Sequence, residues 1–211
     1  LAGDYHDVFH LPDGKWVLII GDVTGHGVSA ALAMAMAKAT VDYQSIGGWT
    51  FPGQVLDHLN ALFNRELKPQ RKYMTLGCLV LDPLSHEAEF ENAGHPFPIH
   101  FRKETQTLEE LTAISAPLGI RTKRNPAGKK IRLGPGDALL FFTDGFPECT
   151  NAANVPFGYL ELRNLFQATM NRSLPLEEIL PELLAKLDAF RDPGPYPDDV
   201  TLVLLRRKMV K

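Results

Sequence analysis

The sequence predicts an α+β domain in which helices are layered on antiparallel sheets. Apolar residues recur at helical spacing in four segments, while several shorter runs carry the apolar and β-branched residues typical of strands. Some of these strands follow one another through tight polar turns such as DPLS at 82–85, with no helix between them. Regular alternation of strand and helix, which would indicate a parallel sheet, is absent, and so is an all-strand pattern.

The first half of the chain predicts one strand followed by two helices. Residues 15–21 are apolar and β-branched and end at a glycine, as a strand does. Residues 28–45 are rich in Ala, Met and Leu, and the first half of this segment is apolar nearly all round, so we expect a buried helix. A second helix begins near Pro52 and carries apolar residues at helical spacing up to about residue 68.

The second half predicts mostly strands and then a helix pair. Helical periodicity returns at about 157–169 and at 175–191, where leucines form one stripe. The strand-like runs are residues 73–82, 86–92, 97–102, 129–133, 137–143 and 200–205.

Length and composition restrict the class of protein. The chain has 211 residues, of which 45% are hydrophobic, and this suits one domain spanning 1–211. A net charge of −3 offers no basic face for a nucleic acid, and no apolar run reaches the roughly 20 residues that a membrane span requires. The cysteines, Cys78 and Cys149, are expected to be buried free thiols, which is compatible with the cytoplasm.

The first motif begins almost at once after Leu1, which is not a methionine. We therefore expect the chain to be a fragment of a longer polypeptide, with a regulatory region upstream.

Acidic residues lie at the ends of four strand-like runs, and they are the candidate functional residues. Carboxylates at the rims of sheets that converge would form an oxygen-only pocket, which suits Mg²⁺ or Mn²⁺ better than zinc. Each acid alone is typical of an ordinary turn, and it is their joint placement that indicates a metal site. The acids are Asp4 in GDYHD, Asp22 in GDVTGHG, Asp144 in FFTDGF, and Asp198 with Asp199 in PDDVT.

The glycines of GDVTGHG give the backbone freedom at the point where a strand passes into a helix. Gly21, Gly25 and Gly27 permit conformations that other residues resist, so a carbonyl can turn toward a metal ion. Amides at the helix start can face an anion. Two adjacent dications would polarise a phosphoryl group and activate a bridging water for in-line attack.

Six motifs in order resemble the bacterial metal-dependent serine/threonine phosphatases. These are the PP2C-like enzymes of the kind found in sporulation protein E and in stress-response sigma-factor regulators. The resemblance runs from Gly3 to Leu205 and implies an α-β-β-α sandwich of two antiparallel sheets flanked by helix pairs. It departs from the usual pattern at Ala2, at His6 and in the His-Pro-Phe of 95–97. It also implies that this fragment lacks an upstream strand and a regulatory region that precede the first motif. The motifs are GDYHD, GDVTGHG, NAGHPFP, APLG, GDALLFFTDGFPE and DDVTLVLL.

The resemblance also implies two metal ions, Mn²⁺ or Mg²⁺, and their ligands. The metal ligands would be Asp4, Asp22, the carbonyl of Val23, Asp144, and one of Asp198 and Asp199, with Asp198 favoured. Asp22 would bridge the metals, and Asp22 and Asp144 would be essential to catalysis through the metal-activated water. His26 is either a general acid or a residue that packs at the helix start and hydrogen-bonds the turn, and the second interpretation is favoured. His95 is expected to be structural, and the role of His6 is open.

The function implied by the resemblance is hydrolysis of phosphoserine or phosphothreonine on a small regulatory protein, such as an anti-sigma-factor antagonist. An upstream sensor or receiver domain would control the activity in the full-length chain. The alternative is a non-catalytic signalling module of the same fold that binds a regulator. Other phosphatase mechanisms lack their residues: no arginine follows Cys78 or Cys149 to hold phosphate, and Gly25-His26-Gly27 lacks the lysine of a P-loop.

Overall fold

The computed structural model of the chain describes residues 3–49 and 51–209. These contain strands and helices in a mixed order, and they divide into two compact units. The first unit comprises Leu1–Phe97 and Thr112–Leu133, and the second comprises Pro98–Leu111 and Gly134–Lys211. Each unit has its own antiparallel sheet and its own helix pair.

In chain order, the elements are β1 (Asp4–His10), β2 (Trp16–Val23), α1 (Val28–Gly47), α2 (Pro52–Leu62), β3 (Met74–Leu81), β4 (Glu87–Ala93), β5 (Ile99–Arg102), β6 (Thr107–Glu110), β7 (Gly128–Arg132), β8 (Ala138–Phe142), α3 (Tyr159–Asn171), α4 (Leu176–Phe190) and β9 (Leu202–Arg206). A π-helical turn at Phe63–Leu67 and a 3₁₀ turn at Lys68–Gln70 extend α2. The two extensions explain why the helical periodicity in the sequence continues to about residue 68.

The first unit is built on a five-stranded sheet in the order β1-β2-β3-β4-β7. Alternate residues of β2, among them Val17 and Ile19, pack in one core with residues of α1 and α2. The other face of β2 carries Leu18, Ile20 and Asp22 because successive side chains of a strand point to opposite faces. Asp22 therefore projects from the face opposite the helices.

Helix α1 is only partly buried, which corrects the expectation that its first half would be enclosed. Its buried residues are one stripe of small side chains, Ala30, Ala33, Ala37 and Val41. Val28 and Leu32 are each 62% exposed. The physical reason is that a helix lying on a sheet buries one face only, and apolar composition alone does not say how many faces are covered.

The second unit is a four-stranded sheet in the order β6-β5-β8-β9, with α3 and α4 packed against it. Its core is rich in aromatic side chains, including Phe101, Phe146 and Phe166. Leu183 and Leu187 of the leucine stripe in α4 are fully buried, as the periodicity predicts.

The predicted fold class, α+β with two antiparallel sheets and helix pairs, is confirmed. The structure contains two strands that the sequence did not predict, β1 and β6. Strand β1 is polar and β6 has only four residues, and both lie at sheet edges, so neither carries the apolar pattern of a buried strand. Cys78 and Cys149 are buried free thiols as expected. No helix among the described residues is long and apolar enough to cross a membrane. The single domain spanning 1–211 stays a prediction.

Candidate metal centre

Asp4 and Asp22 face each other across the β1–β2 pair. Their Cα atoms are register partners in the antiparallel ladder, and both residues are partly buried. The structure corrects one detail, because Asp4 begins β1 and does not end a strand. The start of β1 lies beside the end of β2 because the two strands are antiparallel, so the acids meet. Like charges directly opposite each other are destabilising, and a cation between them would offset that repulsion.

Main-chain oxygens join this acidic pair at the turn after β2. A Cβ atom built on Gly3 would lie 3.0 Å from Asp22 Oδ1, 3.0 Å from the Val23 carbonyl oxygen and 3.3 Å from the Gly25 carbonyl oxygen. Three oxygens therefore converge on one point next to Asp4. Carboxylate and carbonyl oxygens are the donors that Mg²⁺ and Mn²⁺ prefer, so the residues present fit the predicted ions.

Glycine is required in this turn for a conformational reason. Gly25 has φ +82° and Gly27 has φ +78°, in the left-handed region that side chains with a Cβ resist. Helix α1 follows directly, and its N-cap, Gly27, makes no side-chain cap. The backbone can thereby reverse within a few residues and leave the Val23 carbonyl beside Asp22.

A lysine that sequence reasoning missed is attached to the same turn. Lys72 donates from Nζ to the Thr24 carbonyl oxygen at 2.8 Å. Tyr73 pairs with Thr24 through its own backbone, since the Thr24 N–H donates to the Tyr73 carbonyl at 3.0 Å and the Tyr73 N–H donates to Thr24 Oγ1 at 3.1 Å. Lys72 is 48 residues from Thr24 in the sequence, and no local pattern indicates that they meet.

The second unit places Asp144 in a tight turn directly after β8. Thr143, the residue that follows this strand, forms two hydrogen bonds with Thr201. The Thr143 N–H donates to the Thr201 carbonyl at 3.1 Å, and the Thr201 N–H donates to Thr143 Oγ1 at 3.0 Å. A Cβ on Gly145 would lie 2.0 Å from the carbonyl oxygen of Asp199. The Asp-Gly pair is therefore a site of close backbone approach, with Gly145 required for packing against the Asp198–Asp199 segment.

Asp144 and Asp198 interact electrostatically. Burial, and then the negative charge of Asp198, raise the pKa of Asp144 above its ordinary value. Asp198 is exposed and its Oδ1 accepts the Asp199 N–H at 2.8 Å, while Asp199 is partly buried. The second unit thus presents a second pair of neighbouring carboxylates that a cation would stabilise.

The histidines differ from one another. His26 is exposed and forms no hydrogen bond with any described residue, and its packing at the helix start stays a prediction. His95 is buried, and its Nδ1 lies 2.9 Å from Thr75 Oγ1, which agrees with a structural role. His6 is exposed on β1.

Within residues 3–49 and 51–209, no group of three or more His, Cys, Asp or Glu side chains is arranged to hold a metal ion. The candidate donors in each unit are therefore acidic pairs, and in the first unit main-chain carbonyls accompany the pair. The sequence identified these acids and the Val23 carbonyl. It did not identify the Gly25 carbonyl or Lys72.

Comparison with known proteins identifies the family of this chain. The family model for stage II sporulation protein E (SpoIIE) matches residues 12–208. Among characterised relatives, the chain is 29% identical over 214 residues to the phosphoserine phosphatase RsbU of Bacillus subtilis (strain 168), covering 99% of this chain. It spans 60% of the length of RsbU.

Solved structures show the same fold. The SiaA-PP2C domain of Pseudomonas aeruginosa superposes with a TM-score of 0.83 at 21% identity, covering 97% of this chain and 80% of that chain. The structure of RsbX in complex with magnesium superposes with a TM-score of 0.68 at 16% identity, covering 98% of this chain and 87% of that chain. With the family model matching nearly the whole length, the chain belongs to the SpoIIE family of PP2C-fold proteins.

Proposed function

We propose that this chain is a metal-dependent protein serine/threonine phosphatase. The observation that carries the proposal is the oxygen cluster of the first unit, where Asp22 Oδ1 and the Val23 and Gly25 carbonyls converge beside Asp4. Membership of the SpoIIE family and the activity named for the relative RsbU support it. The magnesium in the RsbX structure supports the choice of a hard divalent cation.

The proposed ligands are Asp4, Asp22 and the Val23 carbonyl from the first unit, with Asp144 and Asp198 from the second. Asp198 is preferred to Asp199 because it holds the ligand position of the family motif, and its negative charge acts on Asp144. When bound, Mn²⁺ or Mg²⁺, with two ions proposed, supplies Lewis-acid activation of a phosphoryl group and of the water that attacks it in line.

The chain's own residues supply charge and rigid geometry. The register of β1 on β2 fixes the spacing of the first acidic pair, and the Thr143–Thr201 hydrogen bonds fix the strand ends that carry the second. Because these oxygen donors are already in place, no free energy is spent on rearranging them when substrate binds, and this lowers the barrier to the transition state. His26, exposed at the turn, is the proposed general acid for the leaving serine oxygen.

The proposed substrate is a phosphoserine or phosphothreonine on a regulatory protein such as an anti-sigma-factor antagonist. An upstream sensor or receiver domain is the proposed source of control, and the cytoplasm is the proposed location. The name of the relative RsbU, a phosphoserine phosphatase, supports a phosphoserine substrate, and nothing among the residues of the site selects one particular protein.

The test is hydrolysis of p-nitrophenyl phosphate with Mn²⁺, Mg²⁺ or EDTA, comparing wild type with Asp144→Asn. We expect turnover that requires the metal and that falls by about a hundredfold or more in Asp144→Asn, since a metal ligand is lost. Asp192→Asn is the matched control because Asp192 is exposed and lies in the same unit.

The alternative, a non-catalytic regulator-binding module, predicts a different result. Turnover would be absent from the wild type with either metal, and calorimetry would detect no Mn²⁺ binding. Mn²⁺ binding without turnover would instead indicate an intact centre that requires an activator.

A further inference from the structure

Lys72 is held at the candidate metal turn by both its backbone and its side chain. Its N–H donates to the Leu67 carbonyl at 3.1 Å, which anchors it to the helical extension of α2. Its side chain then reaches the turn after β2, where Nζ contacts the Thr24 carbonyl at 2.8 Å. Lys72 is therefore held both at its backbone and at the end of its side chain, and it is only partly buried.

The charge of Lys72 is not neutralised by a carboxylate of the described residues. Its ammonium has three donors, and the Thr24 carbonyl is its one acceptor among residues 3–49 and 51–209. Lys38 shows the contrast, since its ammonium contacts both Asp7 and Asp42 at 2.6 Å. Two donors and a full positive charge thus remain at the turn for an anionic group.

The carbonyl group that the Lys72 ammonium contacts is a neighbour, in the same turn, of the carbonyls of the oxygen cluster. The Thr24 carbonyl points to Lys72, whereas the carbonyls on either side of it, Val23 and Gly25, point to the Gly3 position beside Asp22. A Cβ on Gly25 would lie 3.1 Å from Lys72 Nζ, so the absence of a side chain there leaves the ammonium accessible. Lys72 Nζ is therefore bound to the same turn that carries the oxygen cluster, at the peptide group between the two clustered carbonyls.

We propose that Lys72 binds the phosphate group of the phosphoserine or phosphothreonine substrate and the inorganic phosphate product. This inference rests on the proposed phosphatase function and adds a substrate-binding residue to it. A charge-assisted hydrogen bond from an ammonium to a phosphate oxygen is among the stronger polar contacts in proteins. The alternative role is purely structural, in which Lys72 orients the turn through the Thr24 carbonyl.

The experiment measures three quantities in wild type, Lys72→Met and Lys72→Arg: KM for p-nitrophenyl phosphate, Kd for inorganic phosphate on the Mg²⁺-loaded protein, and Kd for Mg²⁺. Lys68→Met is the matched control because Lys68 also donates to a backbone carbonyl, that of Ile120 at 3.1 Å, but away from the turn. We expect Lys72→Met to raise both KM and the phosphate Kd about tenfold or more, with Mg²⁺ affinity unchanged. Lys72→Arg, which keeps the charge, should recover most of the loss.

Three results would overturn the proposal. The first is a phosphate Kd in Lys72→Met equal to that of the wild type, and the second is a wild type that binds no phosphate. The third is weaker Mg²⁺ binding in Lys72→Met, which would indicate the structural role. Phosphate binding is measured without turnover, so a wild type that binds Mg²⁺ and phosphate but needs an activator for hydrolysis leaves the test of Lys72 intact. A wild type that shows neither turnover nor metal binding would contradict the phosphatase function itself.

Discussion

Gly145, next to Asp144, lies where the backbone of Asp199 leaves no room for a side chain. The carbonyl of Asp199 occupies the space where a side chain on residue 145 would begin, at 2.0 Å from the Cβ position. Backbone cannot yield as the end of a flexible side chain can, so any larger residue has to move the Asp198–Asp199 segment.

We predict that Gly145→Ala lowers the free energy of unfolding by about 1–3 kcal/mol and reduces metal-dependent turnover. Urea denaturation and the p-nitrophenyl phosphate assay measure the two effects. Gly47→Ala is the stability control, since no atom lies within 4 Å of its Cβ position and its φ is not in the left-handed region. A Gly145→Ala protein with wild-type stability and turnover would contradict the assigned backbone contact.

At the scale of elements, Arg124 attaches α2 to the sheet of the first unit. Its side chain is 3% exposed, and it donates to Glu91 Oε2 on β4 at 2.5 Å. It also donates to the Gly53 carbonyl at 3.2 Å and to Asp57 Oδ1 at 2.9 Å, both on α2. A buried charge that loses its partner is costly, so this guanidinium holds helix and strand together at one point.

We predict that Arg124→Met destabilises the protein by about 3–5 kcal/mol, because it leaves the Glu91 carboxylate buried without its partner. Urea denaturation provides the measurement, and Arg121→Met, at an exposed arginine in the same loop, should change stability by less than about 0.5 kcal/mol. Adding Glu91→Gln to Arg124→Met should recover part of the loss. If Arg124→Met unfolds at the wild-type urea concentration, the ion pair does not anchor α2.

At the scale of the whole molecule, bound metal should contribute to stability. The folded-state pKa of Asp144 is raised, so its protonated form is favoured by folding. This pKa shift adds to the free energy of unfolding at pH values below the pKa of Asp144 in the unfolded chain. The contribution is lost as the pH rises through the pKa of Asp144 in the folded protein, so the ionised carboxylate is unfavourable at neutral pH. A divalent cation bound there reverses this cost.

We predict that Mn²⁺ at about 100 times its Kd raises the free energy of unfolding at pH 7 by about 2.7 kcal/mol, or Tm by about 5–10 °C, relative to EDTA. Thermal unfolding followed by circular dichroism is the measurement. Asp22→Asn and Asp144→Asn should lose most of this shift, whereas Asp192→Asn should retain it. Equal Tm values for the wild type in Mn²⁺ and EDTA would mean that the folded protein has no metal site.

The local features of this protein follow from its sequence. Helical and strand periodicities, the glycine-rich turn at 21–27 and the chemistry of an oxygen-donor site depend on neighbouring residues, so they can be read from short segments. The ordered motifs also indicate the family that the comparison confirms. The identities of Asp22 and Asp144 as candidate ligands are of this kind, since each acid lies at the end of a strand with a glycine beside it.

Only the tertiary structure decided which distant groups meet. The register that sets Asp4 opposite Asp22, the reach of Lys72 to Thr24, and the burial of Arg124 against Glu91 all depend on strand pairing and on how α2 lies on the sheet. The exposure of Val28 and Leu32 on α1 depends on which face the sheet covers. A sequence pattern reports the period of an element but not its register or its covered face, because those are fixed by packing between segments far apart in the chain.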